Sequence, residues 1–269
     1  DDFEEQLFQG HPLATNILGT KSSVRKMTRS DVMETYKKLY RPSRLVVSYV
    51  GGVDLETITR FAEKYFDQNT EKEQDTIAKN PFVPRGTNFN IVKNKKTHQA
   101  HCVLGSYAPA LSSELKFAAS LLTNILGGPS FNALLNLKLR EEQGLTYNIE
   151  ANYTAYSDIG VFAVYFGTDY SKVPLCRQII DDLFQSVIEK GFEEQQLAAY
   201  KQQILGQLAV SDDNYMSLML NNAKSFWWYG HVDSFQEVAQ KINAISNDEI
   251  KTVAKQILSP EKINVLIYK

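Results

Sequence analysis

Cysteine, histidine and long apolar runs are all scarce in this chain of 269 residues. Its two cysteines, Cys102 and Cys176, form no disulfide framework; one lies in a strand-like run and the other in a helix-like run, so we expect two buried free thiols. No apolar run approaches the roughly 18 residues of a membrane span, so we expect no membrane-spanning helix. The four histidines are scattered along the chain, and we expect no three-ligand metal cluster from them.

A strong charge of one sign is also lacking. The 29 Lys and Arg residues nearly balance the 31 Asp and Glu residues, which leaves a net charge of −2 and argues against a nucleic-acid-binding protein with a basic stripe. With 43% hydrophobic and 22% charged residues, the composition is that of one large or two modest globular domains. The chain opens on the acidic residues DDFEE instead of a secretory signal, and its compartment, cytoplasmic or periplasmic, stays open.

Hydrophobic periodicity and turn residues predict a chain that mixes helices and strands. The polar segment 68–87, which contains Pro81, Pro84 and Gly86, is typical of a linker. Helices are predicted over residues 1–9, 28–40, 54–67, 112–126, 131–142, 172–190, 193–209, 214–229, 233–242 and 247–258. Strands are predicted over residues 44–50, 88–95, 99–108, 146–156, 159–168 and 262–268.

An internal repeat is the most informative feature of the sequence. Residues 27–51 align with residues 245–269 without a gap, and both segments indicate a helix, a proline stop and a strand. The alignment matches Lys37 with Lys255, Pro42 with Pro260, and Val47 with Val265. It predicts two copies of one domain, although two unrelated helix–strand units remain an alternative. Extending the repeat backwards places about 120 residues of the first copy upstream of residue 1.

Six short motifs share the order and spacing of one known family. The segment 139–147, LREEQGLTY, resembles the LRExxGLxY segment of the pitrilysin/insulinase-type zinc metallopeptidases, which include mitochondrial processing peptidase. Residues 126–130, LGGPS, resemble the glycine turn that precedes it. FQGHPL at 8–13 with ILG at 17–19, YRP at 40–42 and VGGVD at 50–54 resemble further segments of the family, so the resemblance covers essentially the whole chain.

The zinc signature of that family is not found in the sequence. In the family, H-x-x-E-H places two histidine ligands on one helix face, and the glutamate activates the metal-bound water. Here the segment 119–128 resembles that helix but carries Ser120, Thr123 and Asn124 at the three positions, none of which replaces the family's residues. His98 and His101 form the one close histidine pair, and a spacing of three along a strand turns their rings to opposite faces. The resemblance therefore implies that the zinc ligands lie upstream, with none in this chain.

The repeat and the resemblance together predict an α+β fold of tandem duplicated domains. Each domain is expected to be a mixed β-sheet with helices packed on one side, and the first copy is expected to be truncated. Residues 1–70 are predicted to end the first, metal-binding type of domain, and residues 71–87 to be the linker. Residues 88–269 are predicted to be the second, peptidase-like domain that binds no metal.

Arg140 and Tyr147 are the predicted substrate-binding residues. The resemblance implies that both reach from the second domain to a bound peptide. A guanidinium and a phenol both donate hydrogen bonds without ionising, so they suit a scissile carbonyl that develops oxyanion character. The alternative is structural: Arg140 would pair with a nearby acid such as Glu142, and Tyr147 would pack on the sheet.

Two functions from different classes remain open at this point. The chain is expected to be part of a zinc-dependent endopeptidase, inactive alone, in which a peptide is held as an added strand. The alternative is an inactive partner or scaffold subunit that binds peptides for an active peptidase, as a homodimer or with a related subunit. The aromatic run 226–229, FWWY, is expected to belong to a core and not to form a ligand platform.

Overall fold

The computed structural model describes residues 1–66, 88–95 and 97–269. The predicted linker, 71–87, lies outside the described residues. The described residues fall into two compact units. The first contains residues 1–15, 88–205 and 239–269, and the second contains residues 16–66 and 206–238. The predicted domain boundaries stay a prediction.

Helices dominate the described part of the chain, and one sheet joins its strands. The helices are α1 (Asp2–Leu7), α2 (Lys21–Lys26), α3 (Arg29–Leu39), α4 (Leu55–Tyr65), α5 (Lys116–Gly127), α6 (Val173–Lys190), α7 (Glu194–Asp212), α8 (Tyr215–Tyr229), α9 (Phe235–Ala244) and α10 (Asn247–Ile257). The strands are β1 (Asn90–Lys93), β2 (Ala100–Ala108), β3 (Ile149–Ala155), β4 (Gly160–Thr168) and β5 (Asn264–Tyr268). None of the described helices is both long and apolar enough to span a membrane.

The first unit is built on a five-stranded mixed sheet in the order β1-β5-β2-β4-β3. β1 runs parallel to β5, and the other neighbours are antiparallel. Buried side chains of α5, α6 and α10 pack on one face and form the main core with alternate residues of the strands. The sheet confirms the predicted α+β class and places β3 at one edge.

Both cysteines lie in this core as free thiols, as predicted. Cys102 on β2 and Cys176 on α6 are each at most 1% exposed. Burial raises the pKa of the Cys102 thiol to about 12, because the thiolate would lose its hydration. This thiol is therefore protonated and unreactive at neutral pH.

The short helix α1 covers part of the opposite sheet face. Its buried Phe3 lies against Gly105, and Phe3, Leu7 and Phe8 form a second apolar cluster with residues of β4 and β5. The Tyr156 hydroxyl donates to the Glu4 carboxylate at 2.8 Å, and the Tyr268 hydroxyl donates to the Asp2 carboxylate. The bond from Tyr268 lowers the pKa of Asp2. Apolar contacts and hydrogen bonds from tyrosine hydroxyls to carboxylates thus hold α1 on this face of the sheet.

The repeated segments fold alike over their helices and turns. α3 and α10 begin and end at matching positions of the alignment, and both carry a capping box, with Thr28 and Ser246 as N-caps. A 3₁₀ turn follows each helix, at Pro42–Arg44 and at Pro260–Lys262. The predicted helix and proline stop are therefore found in both copies.

The strand predicted over residues 44–50 does not form in the described chain. Its counterpart β5 lies between β1 and β2, and both neighbours supply backbone hydrogen bonds. Leu45 has extended backbone angles, φ −113° and ψ 139°, but residues 45–50 belong to no ladder among the described residues. A strand needs a neighbouring strand to pair with as well as β-branched residues. The sequence pattern of residues 44–50 provides only the β-branched residues.

Burial differs between the two copies. Ile250 on α10 is 0% exposed, whereas Val32, its match on α3, is 51% exposed. None of the described residues 16–66 is buried. The sheet of the first unit covers α10, and no described sheet covers α3.

A matched pair of substitutions tests this difference. Ile250→Ala is expected to lower the free energy of unfolding by about 2–5 kcal/mol, because it removes buried methylene groups and leaves a cavity. Val32→Ala is expected to change it by less than about 0.5 kcal/mol, because the side chain is exposed and alanine favours a helix. Denaturant unfolding of both variants measures the difference. Equal losses in this chain would contradict the burial difference between the copies.

One helix was not predicted from the sequence, and two predictions about local structure differ from the structure. The short helix α2 carries no apolar periodicity, and Thr20 and Ser23 form a capping box at its start. The helix predicted over residues 131–142 begins later, at Leu134, and continues as a π-helix at Asn136–Glu141. The aromatic run at the end of α8 is not core, since Phe226, Trp227 and Trp228 are each about half exposed.

Candidate functional site

The LREEQGLTY segment forms the π-helix, a tight turn and the approach to β3. The Glu142 amide donates to the Leu137 carbonyl, which is the i→i+5 bond of a π-helix. Gly144 has φ +58°, a left-handed conformation that glycine adopts without strain, and its amide donates to the Arg140 carbonyl at 3.0 Å. Leu139 is fully buried and anchors the segment in the core. Arg140 is half-buried beside it.

This local structure brings the two predicted site residues together. The guanidinium carbon of Arg140 lies 5.4 Å from the centre of the Tyr147 ring, a cation–π contact. The Tyr147 side chain is 84% exposed, and its hydroxyl bonds to no described residue. The two side chains thus form one exposed unit with free hydrogen-bond donors.

One part of the structural alternative is found and the other is not: Arg140 pairs with a nearby acid, and Tyr147 does not pack on the sheet. Glu142 accepts an ion pair from Lys138 at 2.9 Å, and Arg140 instead has its Nε 3.6 Å from Glu141 Oε1. An exposed pair of this kind is weak and leaves the terminal guanidinium nitrogens available. Tyr147 does not pack on the sheet, because most of its surface is open to solvent.

Two buried threonines, which the sequence analysis missed, hold the backbone just before Tyr147. The Thr146 hydroxyl lies 2.6 Å from the carbonyl of Gly167, at the end of β4. The Thr168 hydroxyl donates to the Leu145 carbonyl, also at 2.6 Å. These bonds fix the chain at Tyr147 while its side chain stays exposed. Side chains along a strand point alternately to its two faces, and this alternation could have indicated that Thr146 faces the protein interior.

A cavity of about 330 Å³ lies beside Arg140. The predicted glycine turn forms one of its walls, where Gly127 lies so close to the backbone of Glu150 and Ala151 that a β-carbon would clash. Asn136 donates to the Phe131 carbonyl at 2.7 Å and ties that wall to the π-helix. The lining residues are Gly127, Gly128, Pro129, Ser130, Phe131, Asn136, Arg140, Asn148, Ile149, Glu150, Ala151 and Asn152.

The cavity borders the outer edge of β3. In the described chain β3 pairs with β4 alone. The Gly167 amide donates to the Asn148 carbonyl, so the alternation of an antiparallel pair points the backbone groups of Ile149, Ala151 and Tyr153 away from β4. An open edge of this kind can pair with an added strand.

The residues at the zinc-helix position do not fit a zinc ion. Ser120 is exposed, while Thr123 is 5% exposed and its hydroxyl has no hydrogen-bond partner among the described residues. Hydroxyl and amide side chains are not the nitrogen, sulfur and carboxylate donors that zinc takes. His101 Nδ1 lies 2.8 Å from the Tyr165 hydroxyl, and His98 is exposed. In the described ranges, no three His, Cys, Asp or Glu side chains gather as a metal site.

Comparison with protein families decides the relationship that the motifs indicate. The model described as "Peptidase M16 inactive domain" matches residues 26–204. The chain belongs to this family. Membership confirms the resemblance to zinc peptidases that the motifs indicated.

A relative named a zinc protease is similar in sequence, and solved structures share the fold. An uncharacterized zinc protease of Streptomyces coelicolor is 27% identical over 265 residues, covering 96% of this chain and 57% of the relative. A peptidase M16 inactive domain from Pseudomonas fluorescens has a similar fold, with a TM-score of 0.83 and 17% identity over 99% of this chain and 63% of that one. A chain of complex III2 from Candida albicans gives a TM-score of 0.84 at 18% identity, over 99% and 65% of the two chains. This chain thus spans less than two thirds of each.

Proposed function

We propose that this chain is the part of a zinc-dependent endopeptidase that closes on a peptide substrate at a zinc site supplied by an upstream segment. The observation that carries the proposal is the exposed Arg140–Tyr147 pair beside the open edge of β3. Its support comes from family membership and from relatives that are named zinc proteases. The term zinc-bearing assembly is used below for the longer chain or complex that supplies the metal site.

The domain boundaries are part of this proposal. Residues 1–70 end a first domain of the metal-binding type, residues 71–87 link the domains, and residues 88–269 form the second domain. The matching ends of α3 and α10 support the repeat, and the exposed α3 fits a helix that normally covers a sheet. The relative from Streptomyces coelicolor, of which the chain covers 57%, has room for the rest of a first domain.

Arg140 and Tyr147 would act on the scissile carbonyl of the peptide. A peptide paired with the outer edge of β3 passes the cavity that Arg140 lines. The guanidinium fork and the phenol hydroxyl donate hydrogen bonds to the carbonyl oxygen and stabilise its negative charge as it develops. The threonine bonds just before Tyr147 keep its backbone in place, so little reorganisation is needed when charge appears.

The proposal is tested first on the purified chain. We expect it to bind a labelled unfolded peptide in fluorescence anisotropy, to hold no stoichiometric zinc by metal analysis, and to cleave no peptide. The physical reason is that the described chain offers hydrogen-bond donors for a carbonyl and no cluster of zinc ligands. Tightly bound zinc at one per chain, or cleavage that a chelator abolishes, would contradict the proposal.

The zinc-bearing assembly separates the proposal from the alternative of an inactive scaffold. If the assembly cleaves peptides and loses this activity on chelation, the peptidase function is supported. If it binds peptides but never cleaves them with zinc present, the chain serves as a peptide-binding partner or scaffold, alone or with a related subunit.

A further inference from the structure

Glu150 is an acidic residue at the wall of the cavity, and the carbonyl-binding role of Arg140 and Tyr147 does not use it. It lies on β3, is exposed, and lines the cavity together with Arg140. Its carboxylate forms no ion pair and no hydrogen bond with any residue in the described part of the chain. Arg140 lines the same cavity, and its nearest carboxylate is that of Glu141, at 3.6 Å.

The register of the sheet places Glu150 on the face opposite the main core. Along β3, Ala151 is buried in that core, whereas Glu150 and Asn152 are exposed. Glu150 lies opposite Tyr165 of β4. The Tyr165 hydroxyl lies 2.8 Å from His101 Nδ1. Burial raises the pKa of Tyr165, and the negative charge of Glu150 raises it further. The neutral phenol of Tyr165 and the neutral amide of Asn152 therefore flank the Glu150 carboxylate on this face of the sheet.

The same register fixes what an added strand would bring to Glu150. The backbone groups of Glu150 point toward β4, so an antiparallel added strand would form a non-hydrogen-bonded pair with it on the outer side, in which side chains approach most closely. The side chain opposite it on the added strand projects to the same face, with the two β-carbons about 5 Å apart. A lysine or arginine there reaches the carboxylate, and an aspartate or glutamate meets like charge.

We infer that Glu150 is a specificity-determining residue that selects a basic side chain at one fixed position of the bound peptide. This inference rests on the proposed function, since it requires a peptide strand along the edge of β3. The ligand class is therefore an extended peptide with a Lys or Arg at the position opposite Glu150. Arg140 and Tyr147 bind the peptide carbonyl, and Glu150 binds the Lys or Arg side chain of the peptide that lies opposite it.

The expected effect is modest because the carboxylate is exposed to solvent. A surface ion pair changes a dissociation constant by about two- to five-fold, and added salt screens it. Replacing the basic residue by an acidic one should widen the difference, because repulsion replaces attraction. The preference is expected to weaken as salt is raised.

The test uses the whole chain and a set of labelled peptides, identical except for one Lys, Gln or Glu moved along the sequence. Anisotropy titration is expected to give the order Lys, Gln, Glu from tightest to weakest at one position only. Glu150→Gln should remove this order. Glu114→Gln is the control, since Glu114 is also exposed, has no described partner and lies outside the cavity. It should leave the order intact.

The outcomes separate this inference from the proposed function. If no peptide of the set binds, the proposed peptide binding fails and the inference fails with it. If peptides bind without a charge preference, or if the preference survives in Glu150→Gln, the inference alone is overturned. A preference that Glu114→Gln removes equally would reflect net charge and would also overturn it.

Discussion

Tyr147→Phe is expected to lower kcat/KM of the zinc-bearing assembly by about 10²–10³-fold, the usual loss for one oxyanion donor. Phenylalanine keeps the ring and its contact with Arg140, so the substitution removes only the hydroxyl. The melting temperature should not change, because the side chain is 84% exposed and its hydroxyl bonds to no described residue. Zinc content should also stay constant.

A second exposed tyrosine provides the control. Tyr170 carries a cation over its ring, with Lys269 Nζ 4.7 Å from the ring centre, and lies outside the cavity. Tyr170→Phe should therefore leave both kcat/KM and the melting temperature at wild-type values. A Tyr147→Phe variant that folds normally and cleaves as fast as the wild type would remove the hydroxyl from the site.

Arg140→Ala is expected to cost about 10²–10³-fold in kcat/KM, and Arg140→Lys should recover only part of that loss. Lysine keeps the positive charge but lacks the planar guanidinium fork. It therefore cannot donate two parallel hydrogen bonds to the same acceptor group. The melting temperature should change little, since the pair with Glu141 is exposed and weak. Steady-state kinetics and thermal unfolding of both variants measure these effects.

Arg177→Lys is the matched control for the guanidinium. Arg177 forms a closer ion pair, with Nε 2.8 Å from both carboxylate oxygens of Asp181 on α6, yet lies outside the cavity. Its substitution is expected to affect stability and not rate. Full recovery of kcat/KM in Arg140→Lys would mean that charge alone suffices, and would contradict the role of the fork.

Local signals predicted most of the helices because each carries its own start and stop. Thr28 and Ser246 cap α3 and α10, and the residues around Pro42 and Pro260 end both, so the repeated unit could be predicted from the sequence. Strand formation is not local. Residues 44–50 have the composition of a strand and form none, because pairing requires a neighbour that the described chain does not provide.

The sequence motif indicated candidate site residues but not their geometry. The motif indicated Arg140 and Tyr147, while their contact depends on a π-helix and on a left-handed glycine at position 144. Periodicity alone favours an ordinary α-helix there, since one extra residue in a turn leaves no clear sequence signature. The aromatic run 226–229 shows the opposite failure: apolar composition indicated burial, and the side chains are exposed.

The central proposal is that Arg140 and Tyr147 act as one site on a peptide carbonyl. The most direct test is kcat/KM of the zinc-bearing assembly carrying Arg140→Ala and Tyr147→Phe together, compared with the two single variants. We predict a combined loss smaller than the product of the single losses, because groups in contact that serve one transition state are not additive. A double variant that folds normally, keeps its zinc and cleaves at the wild-type rate would contradict the proposal.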